Sequence, residues 1–287
     1  MNKVVVLALV LTMMPVVGQA QMYKSGLHEG VRKSYYQNGQ LKEVMELKDG
    51  KPEGVFKIYD ENGQLREEMN FKDGLREGLY KIYYENGHLR EEGNYKNDQR
   101  YGVRKSYYEN GQLKEETEFQ GPLDWVSKSY YENGKLRGET NFKNGSQDGL
   151  QKMYYESGQL REEENFKDGL REGVRKGYYE NGQLREAGNY KDGEPEGMFK
   201  RYYENGKLRE EGNYKNGKRE GVFKMYDENG LLWMEKSYKN DRPDGLQKVY
   251  YENGALREEE NFKNGKPDGE SKIYDENGQL VMEECYM

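Results

Sequence analysis

Apolar and aromatic residues in this chain fall in short alternating runs that are cut at regular intervals by glycine-containing tripeptides. From Gly54 to Gly78 it reads G-V-F-K-I-Y-D-E-N-G-Q-L-R-E-E-M-N-F-K-D-G-L-R-E-G. Two runs rich in Val, Ile, Tyr and Phe are separated by Asn-Gly and bounded by Asp-Gly and Glu-Gly, which is the signature of a β-hairpin. The L-R-E-E stretch is built from good helix formers, but the recurrent glycines interrupt any helix long enough to be stable.

The unit recurs along the chain. The glycine of an E-N-G or related tripeptide falls at Gly39, Gly63, Gly87, Gly111, Gly134, Gly158, Gly182, Gly206, Gly230, Gly254 and Gly278, every interval being 24 residues except one of 23. The missing residue lies where Phe119-Gln120-Gly121 replaces the pattern of Phe71-Lys72-Asp73-Gly74. Turns absorb deletions that strands do not, so the slip marks a loop.

A three-residue loop Glu61-Asn62-Gly63 with a left-handed glycine predicts Tyr59 opposite Leu65 and Lys57 opposite Glu67. A two-residue loop would put Leu65 opposite Asp60 and split the apolar residues between faces. With the first register, Val55, Tyr59, Leu65 and Phe71 share one face by the period of two. Repetition turns these positions into ladders, which no single unit can bury alone, so stability must come from nearest neighbours. The expected fold is all-β: an elongated, single-layer, twisted antiparallel β-meander of about eleven 24-residue hairpin repeats. Twenty-two strands at ~4.8 Å spacing make about 100 Å of sheet.

Composition changes the picture in two ways. With 33% hydrophobic and 34% charged residues the chain would pass for disordered, but 27 Tyr argue for a fold in thin layers. Residues 1–20 read as a signal peptide: Lys3 is the only charge, Val4 to Val17 is nearly all apolar, and Gly18-Gln19-Ala20 ends in small residues. The apolar run falls short of the ~20 residues a membrane span needs. The mature chain is expected to begin at Gln21, leaving 21–287 as the repeat array, with no membrane insertion after cleavage. Loss of Lys3 takes the formal charge from -7 to -8, which disfavours nucleic acid and anionic membranes as partners. Cys285 is the only cysteine, so no internal disulfide can form.

Units such as Gly197 to Gly217, of the form G-x-x-K-x-Y-Y-E-N-G-x-L-R-E-E-x-N-Y-K-N-G, resemble the MORN (membrane occupation and recognition nexus) repeat, and more closely its bacterial variant. The resemblance covers essentially all of the mature chain. It implies an antiparallel β-meander acting as a scaffold or interaction module. Bacterial arrays of this kind occur in exported proteins and in proteins labelled as antitoxins, a label that sits badly with an export signal.

An enzyme would show one unit that departs from the repeat by gaining catalytic groups. His28 and His88 sit in different units beside strands and turns, where a histidine reads as solvated. Cys285 has no predicted histidine partner. The glutamates recur at repeat positions and read as cross-strand partners of Lys and Arg. Acidic turns such as Asp60-Glu61-Asn62-Gly63 lack the ligand alternation of a calcium loop. No catalytic residue, metal or cofactor is therefore expected.

A second row of tyrosines projects oppositely to the first: Tyr36, Tyr84, Tyr108, Tyr131, Tyr155, Tyr179, Tyr203 and Tyr251, running near basic residues that include Arg66, Arg209 and Arg257. Tyr and Arg are enriched in interface hot spots, and the alternative is that the rings pack together to stiffen the sheet. Three places break the pattern: Asp124-Trp125, Leu231-Leu232-Trp233-Met234 and Val281-Met282. Apolar residues at normally charged positions need something to cover them, either a partner or the chain itself. The position three after each turn glycine is Arg or Lys except at Trp233 and Val281. The candidate binding surface is thus Tyr84, Tyr108, Tyr131, Tyr155, Tyr179, Tyr203, Trp233, Tyr251, Arg209 and Arg257. The expected role is an exported, non-catalytic scaffold for a protein or glycan partner at the cell envelope or outside the cell; the alternative is a structural spacer without a defined ligand. The last unit reads as a modified cap that limits strand addition, and self-association through end strands is the other expected contact.

Overall fold

The structure is a computed structural model in which residues 28–286 are described; the segment 1–20 lies outside the described residues. Twenty-four strands and no helix are found among the described residues. The chain divides after Gln99 into two compact units. In the first, Leu41–Lys48, Lys51–Tyr59, Leu65–Lys72, Leu75–Tyr83 and Leu89–Lys96 pair in succession, each antiparallel to the next. The second repeats the scheme, as in Glu194–Tyr202, Leu208–Lys215, Lys218–Tyr226, Leu232–Lys239 and Arg242–Tyr250. The fold is an all-β antiparallel meander of hairpins. The shortened turn at residues 120–124 lies between strands, where the one-residue deletion places a loop.

Both turn types follow from their residues. In the Asn-Gly turn the Asp60 N–H donates to Gln64 O (2.9 Å) and the Gly63 N–H to Asp60 O (3.0 Å). Gly63 has φ 83°, as a three-residue loop with a left-handed third position requires. At the opposite end Asp73 and Gly74 have φ 53° and 88°, the two positive values of a two-residue turn whose twist matches the strands. Glu-Gly does not end a strand where expected. Leu75–Tyr83 runs through Gly78, whose φ of 89° makes a bulge that the ladder passes.

Tyr59 lies opposite Leu65, as predicted, but Lys57 lies opposite Glu68 and not Glu67. A bulge at Arg66 inserts one residue between Leu65 and Glu67, and the same shift follows the Tyr–Leu pair in the other hairpins, as at Tyr202↔Leu208 and Tyr226↔Leu232. The Lys57 Nζ to Glu68 Oε2 distance is 3.5 Å. One extra residue reverses the face of everything after it. Val55, Tyr59 and Leu65 therefore do share a face, whereas Phe71 crosses to the other, opposite Gly54 and in edge contact with Phe56.

The core consequently lies on the face opposite the Tyr–Leu pairs. Met45, Leu47 and Tyr80 are buried there in the first unit, and Phe199, Phe223, Tyr238 and Val249 in the second. Edge-to-face contacts link Tyr190, Phe199, Tyr214, Phe223 and Tyr238 in a continuous file, with centroids 5.2–5.5 Å apart. Glycines make the room: a Cβ at Gly188 would overlap the Phe199 ring, and one at Gly212 the Phe223 ring. The Tyr–Leu face is the wetter one. Val55, Leu79, Val174, Met198 and Val222 are each exposed beside rows of Lys–Glu pairs such as Lys200–Glu211 (3.1 Å) and Lys224–Glu235 (3.1 Å).

Candidate functional site

The second-row tyrosines have a defined job. Tyr36 Oη donates to Tyr59 O (2.8 Å) in the first unit. In the second, Tyr108, Tyr131, Tyr155, Tyr179, Tyr203 and Tyr251 donate to the carbonyls of Tyr130, Tyr154, Tyr178, Tyr202, Tyr226 and Tyr274, at 2.7–2.9 Å. Each hydroxyl thus ties one repeat to the next, and the rings are half-buried. Tyr84 holds the same position in the first unit and is likewise half-buried. The neighbouring asparagines reach forward in the same way, as Asn181 Nδ2 to Glu204 O (3.0 Å) and Asn205 Nδ2 to Glu228 O (3.0 Å).

The basic residue after the turn is the bulged one, and in two repeats its side chain stands over the second-row ring. Lys42 Nζ stands 5.7 Å from the Tyr36 centroid and Lys114 Nζ 5.5 Å from that of Tyr108. Arg209 and Arg257 are exposed, and Arg257 lies 4.0 Å from Glu258. Trp233 occupies this bulge position in its own repeat, is 39% exposed, and makes no ring contact with any described aromatic residue. It does not lie beside a tyrosine of its own repeat, because the second-row position there is Asp227. The same exchange occurs at Asp60 and Asp275, where the sequence itself shows the break in the tyrosine row. In these turns the carboxylate folds back: Asp227 Oδ1 accepts from the Asn229 and Leu231 N–H groups at 2.9 and 2.8 Å.

The other irregular positions divide cleanly. Trp125 is covered by its own chain, stacked on Phe142 at 4.6 Å and 15°, and Asp124 accepts the Asn144 N–H as Glu53 accepts that of Asp73. Val281 and Met282 are exposed.

A half-buried charge cluster, centred on the buried Glu164, was not legible in the sequence because its residues come from neighbouring repeats. Arg175 meets Glu186 at 2.7 Å, Glu162 at 3.1 Å and Glu164 at 3.4 Å, and Arg171 meets Glu164 at 2.6 Å. Burial opposes the charge of Arg175, but the Glu186 hydrogen bond and carboxylate outweigh it and raise its pKa. Burial likewise pushes Glu186 up, while Arg175 and Arg185 bring it below the ordinary carboxylate value. Every charged group in the network has an oppositely charged partner, although Arg175 Nε, 3.4 Å from Glu164, makes no hydrogen bond of its own. His28, His88 and Cys285 are exposed. No group of three or more His, Cys, Asp or Glu side chains poised for a metal ion occurs among the described residues.

No curated protein matches the sequence. Among solved structures, the chain is similar to a TcdB2–TccC3–Cdc42 complex, at 12% identity over 89% of this chain and 17% of that one, with a TM-score of 0.19. It is similar also to a Photorhabdus luminescens Tc holotoxin pore, at 12% identity over the same shares, with a TM-score of 0.18. The chain spans about a sixth of the length of those chains. A family model described as a MORN repeat variant matches eleven consecutive segments, from 29–49 and 52–73 through to 243–264 and 267–287. With eleven units matched in unbroken series, the chain belongs to the MORN repeat variant family.

Proposed function

We propose that this protein is an exported, non-catalytic binding scaffold whose second-row surface engages a protein or glycan partner at the cell envelope or outside the cell. The observation that carries the reading is Trp233. An indole that is 39% exposed, next to Leu231 at 47%, replaces a cation in a row of half-buried tyrosines and exposed arginines. Aromatic and arginine side chains of this kind dominate interface energetics, and an exposed apolar pair on an otherwise charged surface marks a contact. Affinity capture from envelope and host-cell extracts tests it. The parent should enrich a defined partner, and Trp233→Ala should weaken retention by at least ~2 kcal/mol while leaving folding stability within about 1 kcal/mol. Melting of the neighbouring repeats with unchanged affinity per folded molecule would make Trp233 structural. A second reading, a spacer without a defined ligand, draws support from the tyrosine hydroxyls, which are committed to neighbouring repeats. A spacer would return only its own copies in the same capture. Export is tested separately: mass spectrometry should find a mature N-terminus at Gln21, and an intact Met1 form in the cytoplasm would remove it.

A further inference from the structure

We infer that the repeat containing Asp227 carries an open slot for a tyrosine side chain supplied by a partner polypeptide; the inference rests on the scaffold reading and names the chemistry its Trp233 region recognises. On either side of Asp227 the slot position is filled by the chain's own ring: Tyr203 donates to the Tyr226 carbonyl (2.8 Å) and Tyr251 to the Tyr274 carbonyl (2.9 Å). Asp227 interrupts the file. Its carboxylate is held within its own turn by two backbone N–H groups and cannot donate. No side chain among the described residues therefore reaches the Tyr250 carbonyl, the acceptor that a ring at 227 would serve.

The same repeat replaces the basic residue that holds the bulge in nine of the eleven repeats and that stands over the ring in two of them. Lys42 and Lys114 stand over Tyr36 and Tyr108; Trp233, at the equivalent bulge, offers an apolar aromatic surface instead. The two exchanges are complementary. A carbonyl awaits a hydroxyl donor, and an indole awaits a flat partner; a phenol satisfies both at the spacing the flanking repeats already use.

The repeat at Asp60 shows that the aspartate alone does not open a slot. There the bulged residue is Arg66, only 24% exposed, and its guanidinium lies 4.0 Å from Asp60 and 3.9 Å from Glu85. The cation fills the space and pairs with the carboxylate. Only the repeat of Asp227 combines the missing ring with an uncharged bulge residue that a following repeat adjoins in the described chain.

The test uses the full chain, N-acetyl-tyrosinamide and N-acetyl-phenylalaninamide as probes, and the indole N–H resonances of Trp125 and Trp233 as reporters. The tyrosine amide should shift the Trp233 resonance saturably and leave Trp125 in place, and the phenylalanine amide should bind about fivefold more weakly for want of the hydroxyl. Asp227→Tyr should abolish the shift, because the chain's own ring then occupies the slot, and should raise the melting temperature. Asp227→Ala leaves the slot open and should retain binding, which separates occupancy from damage to the turn. Equal affinity for the two amides, binding that survives Asp227→Tyr, or the absence of any saturable shift would overturn the inference. If the amides fail but Trp233→Ala still weakens capture of a macromolecular partner, the slot is wrong and the scaffold reading stands.

Discussion

Gly212 is the position where the packing of neighbouring repeats can be probed with a single methyl group. Its φ is not left-handed, so the backbone accepts alanine, and the obstacle is the ring of Phe223, 1% exposed, which a Cβ would overlap. Overpacking of this kind costs about 1–3 kcal/mol. Removing glycine from the unfolded chain offsets about 0.4–1 kcal/mol of that. Gly212→Ala should therefore destabilise by about 1–2 kcal/mol, a net effect of the two opposing contributions. Phe223→Leu vacates part of the contact, so the double variant should be more stable than the sum of the singles implies, with a coupling of at least about 0.5 kcal/mol. Because an array unfolds by nearest-neighbour contributions, the urea midpoint should be read together with amide exchange in strands Leu208–Lys215 and Lys218–Tyr226. A neutral or stabilising Gly212→Ala, additive with Phe223→Leu, would show that the ring does not lie over the glycine.

Tyr179→Phe removes only the hydrogen bond to the Tyr202 carbonyl and should cost about 0.5–1.5 kcal/mol, seen as faster amide exchange near that strand end. Arg175→Ala takes the shared cation from Glu162, Glu164 and Glu186, each of which keeps a second arginine in Arg161, Arg171 and Arg185, and should cost about 1.5–3 kcal/mol in chemical denaturation; a loss under about 0.5 kcal/mol would show the cluster to be solvated. Tyr250 is pushed up to about 12 by burial, then by its hydrogen bond to Glu235 and the charges of Glu235 and Glu259. Its folded pKa exceeds the unfolded value of about 10, so its contribution to stability is intact below that pH and is lost as pH rises through about 12. Phenolate absorbance should place Tyr250 among the last tyrosines to ionise, and Glu235→Gln should lower its titration part of the way.

The hairpins were legible because their determinants are local. Asn62-Gly63 and Asp73-Gly74 set two turns by backbone conformation alone, and the Tyr59–Leu65 pair followed from the loop length. The bulge at Arg66 was not legible. Period-two reasoning assumes unbroken alternation, and nothing about an arginine marks an inserted residue. Everything displaced by that residue went astray with it: the partner of Lys57 and the face of Phe71. A clue existed in the recurrence of Gly188 and Gly212 one hairpin before Phe199 and Phe223, which only makes sense if the large and small residues meet. For the candidate site, the tyrosine positions were evident from the repeat, but the destinations of their hydroxyls were not. A carbonyl some 23 residues away leaves no imprint on residue choice, since every residue supplies one.

Those hydroxyls all point one way along the chain, from an earlier repeat to a later one. Synthesis runs in the same direction. When a repeat such as that of Tyr155 leaves the ribosome, its tyrosine has no acceptor until Tyr178 has been made. The tyrosine hydroxyl of each hairpin is thus satisfied by its successor, and ordering of that contact should advance with a lag of about one repeat behind elongation. A stalled or truncated nascent chain would then present a donor-bearing final hairpin whose tyrosine and asparagine side chains are available to the first strand that offers carbonyls in the right phase.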